Sequence, residues 1–433
     1  MPLGNKDGKN RKYLLLTVIN MMTIIVAVVL ALSVFVFVFG RKDQIPDEHS
    51  FLVENAKEPV SEKTLAEQIE KGYNLPIDVC EGKEAENDCK KMMEYIREIY
   101  IQADKGDAIN VVLSDKVVSE MQDTLKKTNN PIIMTEIYAN MENFERVDAF
   151  LKECMEGVSG AVVVYEMHSG GGIGRMKFIY DGTDMYVLRV LAVWDDENEP
   201  KITHASYTRI KEWKYTEKGW FCYELCVPEP PEVTEIVDGS CMLRIKPMTD
   251  ENREMSEKCV LGLAYQGNNL LCSNWDTENM EDLDYNGLYE YLYAMKYGEK
   301  FDPEKYPDGI PKEDFESLIM EYLPITGEKI QTYAVFDEQK QTYVWERLGC
   351  FNYSPTYFGT SFPEVTHIKE NEDGTVVLTV DAVCQMILCN DAVITHELAV
   401  RFSEDGSFRY LGNKILNDGI NDIPDYQYRI NKQ

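Results

Sequence analysis

From Tyr13 to Phe39 the chain carries no charged residue, and this run decides where everything after it can fold. Its 27 residues, at about 1.5 Å of helical rise each, can cross a hydrocarbon core of about 30 Å. Lys6, Lys9, Arg11 and Lys12 precede the run. Arg41 and Lys42 follow it, before the chain turns acidic at Asp43, Asp47 and Glu48. The basic excess on the N-terminal side predicts a cytoplasmic tail over 1–12, a transmembrane helix over 13–39 and an extracytoplasmic remainder. A cleaved signal peptide is the competing reading, with Ala31 and Ser33 as the small pair. Its apolar core would span only about 7–15 residues, and cleavage would leave VFVFVFG as the new N-terminus. No later segment is long and apolar enough to cross, so a single-pass protein of the cell membrane is expected.

The net charge is −31, with 44% hydrophobic and 11% aromatic residues. Such a charge repels nucleic acid and anionic lipid, so no nucleic-acid partner is expected, while the apolar content calls for a packed core. There are eleven cysteines, an odd number. In an oxidising compartment Cys80 with Cys89 and Cys384 with Cys389 are the candidate disulfides; in an oxygen-free one all can remain thiols. No cysteine pair has CxxC spacing, and His49, His168, His204, His367 and His396 are scattered. No metal and no cofactor is expected.

Residues 40–62 read as a juxtamembrane linker. Helical periodicity follows over 89–103, 114–127 and 143–155. From Gly160 the period changes to two. The segments AVVVYEMH, RMKFIYDG, DMYVLRVLAVW, ITHASYTRIKEWKY and GWFCYELCV are separated by turn residues and predict an antiparallel meander. The Pro-rich run VPEPPEV at 227–233 predicts a domain edge near 228–238. Further on, helices are expected over 284–298 and 311–323. Strands are expected in QTYVWERLGCF, EVTHIKE, TVVLTVDAVCQMIL, AVITHELAVRF and SFRYLGNKIL, with Asp373-Gly374 and Asp405-Gly406 as hairpin turns. The expected units are a first α+β domain over 63–235, a middle helical segment over 236–309 and a C-terminal domain over 310–433. The fold class is α+β: a transmembrane helix, then two or three domains of helices packed on twisted antiparallel sheets.

One membrane span followed by helices and a twisted meander resembles the bitopic proteins that carry NTF2-like (cystatin-like) extracytoplasmic domains. The stretch TVVLTVDAVCQMIL…AVITHELAVRFSEDGSFRYLGNKI is similar to the last long hairpin of such a domain, and to uncharacterised anchored proteins of Gram-positive bacteria. The resemblance implies no catalytic motif, because the fold hosts enzymes, ligand pockets and scaffolds alike.

Several motifs invite sharper readings. Leu323-Pro324-Ile325-Thr326-Gly327 spells a sorting signal, but no apolar segment and basic tail follow it, and a helix ending at Tyr322 or Leu323 explains it. Asp282 to Gly287 matches half of a calcium loop, yet the twelfth position is Tyr293 where a glutamate is required; Asp284 or Asn286 as a helix cap is the simpler account. HSGGGIG at 168–174 precedes a strand, so it reads as a hairpin loop. His367, Cys384 and Arg401 on consecutive strands are similar to the sortase set, but LTVDAVC replaces the TLxTC strand and the separations do not fit. Tyr285, Tyr289, Tyr293 and Tyr297 recur every four residues along one helix. They are either core packing or a stacking surface for a polysaccharide or peptide, and they are the candidate ligand-binding residues. No catalytic residue is assigned.

These features predict a non-catalytic surface protein that binds an envelope protein or cell-wall polymer. The alternatives are a structural subunit of an envelope-spanning conjugation or secretion assembly, or an enzyme processing cell wall or exported peptides. The oligomeric state is left open.

Overall fold

Two antiparallel sheets, each with helices against it, organise the chain. The computed structural model describes residues 62–106, 111–135, 137–384 and 392–430. The apolar run 13–39, the tail before it and nearly all of the linker fall outside the described residues. Among those described, no helix is long and apolar enough to cross a membrane. There are eight α-helices among them, and the class is α+β.

The first unit opens with α1 (Glu62–Lys71), α2 (Val79–Gln102) and α3 (Asp115–Lys126). β1 (Ile132–Met134) and α4 (Glu145–Met155) follow. The meander is β2 (Gly160–Met167), β3 (Ile173–Tyr180), β4 (Met185–Trp194), β5 (Pro200–Tyr215) and β6 (Trp220–Leu225), completed by β7 (Ser240–Arg244). The sheet runs in chain order from β1 to β7, and only β1 is parallel to its neighbour. The Pro-rich run therefore lies inside the sheet as the β6–β7 connection. It is not the boundary, and the chain passes to the second unit after Arg244.

Alternation gives each strand two faces. One carries Tyr165, Leu188 and Val190 against α2 and α3. The other carries Val164, Met176, Phe178 and Val187 against α4. Flat, β3 and β6 would stand about 14 Å apart, three strand spacings. Yet the rings of Phe178 and Tyr223 lie 5.6 Å apart, centroid to centroid, and those of Phe178 and Phe221 5.3 Å. The sheet thus curls, and the α4 side is its concave face.

The second unit comprises α5 (Asp250–Cys259), the short strand β8 (Trp275–Asp276) and α6 (Tyr285–Tyr297). Then come β9 (Ile310–Pro311), α7 (Lys312–Tyr322), α8 (Gly327–Tyr333), β10 (Phe336–Asp337) and β11 (Thr342–Tyr343). The main strands are β12 (Phe362–Glu370), β13 (Thr375–Val383), β14 (Thr395–Phe402) and β15 (Phe408–Ile415). The five-stranded sheet has the order β12-β13-β14-β15-β8, and β10-β11-β9 form a small second one. Of QTYVWERLGCF only Thr342–Tyr343 is strand. A side chain takes over the neighbouring backbone there: Asn286 Nδ2 donates to Val335 O (3.1 Å) and Val344 O (2.8 Å), and its Oδ1 accepts from Val335 N (2.8 Å). The segment 236–309 does not stand alone, since Cys259, Leu271, Leu288 and Leu292 share one core with Phe315, Leu398 and Tyr410.

The units meet along a seam. Trp220 and Cys222 of β6 pack on Val383, with Met242 and Phe362 alongside. Arg244 pairs with Glu364, Lys218 with Asp381, and the Tyr138 hydroxyl donates to the Pro363 carbonyl.

Candidate functional site

Register, rather than chain proximity, assembles the best candidate. Val164, Met176, Arg189 and Ser206 are partners across β2 to β5 and share the concave face. Two residues further along lies the row Glu166, Gly174, Leu191 and His204. β6 and β7 add Tyr223 and its partner Cys241. The packed aromatic half of the concavity thus gives way to a polar end. Tyr223 is buried, whereas Glu166, Arg189, Leu191, His204 and Cys241 are only partly covered.

Arg189 organises this end. Its Nη2 donates to the Tyr223 hydroxyl at 2.6 Å and approaches Cys241 Sγ at 3.4 Å. Burial holds the Tyr223 hydroxyl protonated, well above the ordinary phenol range. Burial, with help from Arg189, lowers the pKa of His204 and favours its neutral form. His168 closes the rim, its Nε2 3.8 Å from Glu166 Oε2. A Cβ at Gly174 would sit 3.3 Å from His168 Nε2 and 3.4 Å from Glu166 Oε2, so glycine leaves both side chains room. The loop His168–Gly172 is tied down, with Gly171 N donating to His168 O and Trp194 Nε1 to Gly171 O. The arrangement offers a fixed cation, a neutral imidazole, a phenol and a thiol at one end of the concave face. It suits recognition of a polar ligand.

A second concavity of about 540 Å³ lies on the far face of the five-stranded sheet, lined by Trp275, Asp276, Val377, Glu397, Ala399 and Lys414 among others. A third, about 380 Å³, opens beside Lys71, Arg209, Cys226 and Glu232.

The tyrosine stripe divides. Tyr285 and Tyr289 are core residues with no open face. Tyr285 donates to Met280 O at 2.8 Å, and Tyr289 stacks on Phe315 at 5.0 Å between centroids. As ligand-binding candidates these two are corrected to packing. Tyr293 is partly covered, its hydroxyl 3.2 Å from Glu299 Oε1, and Tyr297 is 54% exposed beside it.

The other motifs resolve locally. Asp284 caps α6, its Oδ1 accepting from Gly287 N at 2.8 Å, while Oδ2 accepts from the Tyr426 hydroxyl at 2.7 Å. Gly287 has its own reason: a Cβ there would lie 2.1 Å from Gly267 O. Leu323-Pro324-Ile325-Thr326-Gly327 joins α7 to α8, with Thr326 accepting from Lys329 N. Cys80 and Cys89 cannot bridge. They sit nine positions apart on one helix, about 13 Å of axis, and both are free thiols, one exposed and one buried. A disulfide needs Cα atoms about 4.4–6.8 Å apart. Cys384 is a buried free thiol donating to Tyr357 O, and Cys389 falls outside the described residues. His367 pairs with Thr379 and Arg401 with Thr375, five and nine strand positions from Cys384, or about 17 and 30 Å. The three do not meet.

One polar group, a histidine seen in the sequence only as scattered, has its partners far along the chain. His396 is fully buried, with Nε2 2.8 Å from the Tyr265 hydroxyl and Nδ1 2.6 Å from Asn413 Oδ1. Asn413 Nδ2 donates to Leu271 O and Ser273 O, so its Oδ1 must accept, and the proton sits on Nδ1. Every partner is satisfied, and burial lowers the His396 pKa to about 4. The triad braces the sheet.

Among the described residues no group of three or more His, Cys, Asp or Glu could hold a metal ion. No curated protein and no solved structure matches the chain. One family model does, over residues 82–429. The chain therefore belongs to the family it defines, a family of unknown function (DUF6070).

Proposed function

We propose that the protein is a non-catalytic, membrane-anchored recognition module of the Gram-positive cell surface. In this reading, residues 13–39 anchor it, the bulk of the chain is extracytoplasmic, and the C-terminal domain is NTF2-like. The charge-free run with its basic N-terminal flank supports the anchor. Helices packed on one face of an antiparallel sheet support the domain type. The polar end of the first sheet's concave face carries the binding reading: five strands deliver Glu166, Arg189, His204, Tyr223 and Cys241 to that end. Anchoring raises the effective concentration of such a site at the membrane.

Thermal unfolding of the full chain in detergent micelles tests it, with and without soluble cell-wall fragments. A ligand of the folded state raises the midpoint with the logarithm of its concentration. The expected shift disappears in Leu191→Trp, which puts a larger side chain over the polar end. No shift, together with a multimeric chain by light scattering, would replace capture with the envelope-scaffold reading.

A further inference from the structure

The concave face holds a guanidinium with no carboxylate in contact with it. The arginines with almost no exposure each have a carboxylate: Arg175 with Asp88 at 2.9 Å, Arg429 with Glu290 at 2.7 Å, and Arg244 with Glu364. Arg189, only partly covered, has none. Among the described residues no carboxylate lies within 4.0 Å of it; Glu166, 3.8 Å from His168, acts on it only at longer range. Its Nε is enclosed and has no hydrogen-bond partner. Its Nη2 is met by a neutral phenol and by sulfur, a poor acceptor. A cation drawn out of water is costly unless it is paired. This chain has acidic side chains in large excess, so the missing partner is not a matter of composition.

We infer that Arg189 is the anchor for an oxyanion, a carboxylate before a phosphate, carried by the ligand of the concave face. The assignment rests on the capture function proposed above and names the chemistry of its ligand. The planar guanidinium matches a carboxylate through two parallel N–H donors. Its Nη1–H, which makes no hydrogen bond and is not enclosed, supplies one of them, and an incoming oxygen replaces the weak Cys241 contact on Nη2. Neutral His204 and Ser206 stand beside it on β5 and can bond the rest of the ligand without repelling it. Glu166 on the rim sets the specificity. It disfavours a free doubly charged phosphate more than a singly charged carboxylate.

The test uses the full chain in micelles at constant ionic strength set with chloride. The probes are N-acetyl-dialanine with a free carboxylate, its C-terminal amide, and inorganic phosphate. The readouts are the unfolding midpoint and the alkylation rate of Cys241, followed by peptide mass spectrometry. The free carboxylate is expected to raise the midpoint and slow alkylation at least about threefold, the amide to do neither, and Arg189→Gln to erase both effects. Cys241→Ala, which removes the competing acceptor, is expected to respond at lower carboxylate concentration, and it serves should Arg189→Gln not fold. A response to phosphate alone keeps the oxyanion site and reassigns its source. Equal responses to acid and amide, or a response surviving in Arg189→Gln, overturn the anion assignment but leave capture standing. Silence to all three probes alongside a shift with wall fragments does the same.

Discussion

Arg244 and Glu364 face each other across the seam between the two sheets, both nearly inaccessible to solvent, with the guanidinium also 4.1 Å from the centroid of the Trp220 ring. Glu364 has its pKa raised, by burial first and despite Arg244. Desolvation of the carboxylate therefore outweighs the attraction, and the pair serves less as a source of stability than as a condition on how the units fit.

Removing one partner should expose that balance. Arg244→Met leaves a buried carboxylate alone and is expected to lower the unfolding free energy by about 3–5 kcal/mol, while Arg244→Met with Glu364→Leu recovers most of the loss. Urea denaturation of the two variants decides it. Equal losses in both would mean that packing on Trp220, not charge, holds the seam.

His396 sets an acid limit. Its pKa falls from 6.5 to about 4 on folding, so between those values the unfolded chain binds a proton that the folded chain refuses. Stability from this residue is intact above pH 6.5 and is lost as the pH drops, reaching about 3 kcal/mol near pH 4. His396→Gln can make the same two hydrogen bonds without titrating, and its midpoint should fall less steeply from pH 7 to 4. Parallel profiles would show that other groups carry the acid sensitivity.

The tyrosine helix should split by exposure. Tyr289→Ala empties space against Phe315 and is expected to cost about 3–5 kcal/mol. Tyr297→Ala should change stability by no more than about 0.5 kcal/mol. Comparable denaturation midpoints for the two would contradict the partition between core and surface.

Asp284 offers a check on calcium. Asp284→Ala removes a helix cap and strands the Tyr426 hydroxyl, which together should cost about 2–4 kcal/mol. Calorimetry with millimolar calcium should leave the wild-type midpoint unchanged. A calcium shift that vanishes in the variant would restore the loop as an ion site.

Much of the fold was legible because hairpins are local. The five segments after Gly160, separated by Gly, Asp-Gly or Asn-Glu-Pro, became β2 to β6 as read. Asp284 and Gly298, the latter at φ 67°, bound the helix between them. Signals failed where tertiary context decides. The first ten residues of α2 are rich in charge and lack an apolar stripe, and only Asp78, accepting from Cys80 N and Glu81 N, announces them. β7 lies beyond a proline run that argued for a boundary. The candidate site was invisible because Glu166, Arg189, His204, Tyr223 and Cys241 are spread over 76 positions of chain. One clue was present: Arg189 is the only charged residue of β4, a strand otherwise apolar on both faces.

The placement of the seam has a temporal meaning. Every strand of the first sheet precedes residue 245, while the carboxylates that answer Lys218 and Arg244 come more than a hundred residues later. A chain leaving the ribosome or a translocation channel N-terminus first completes its curled sheet with two bare cations on the rim. The second half, arriving with Glu364 and Asp381, finds its berth already marked by charge, so that order of synthesis and complementarity together settle how the halves join.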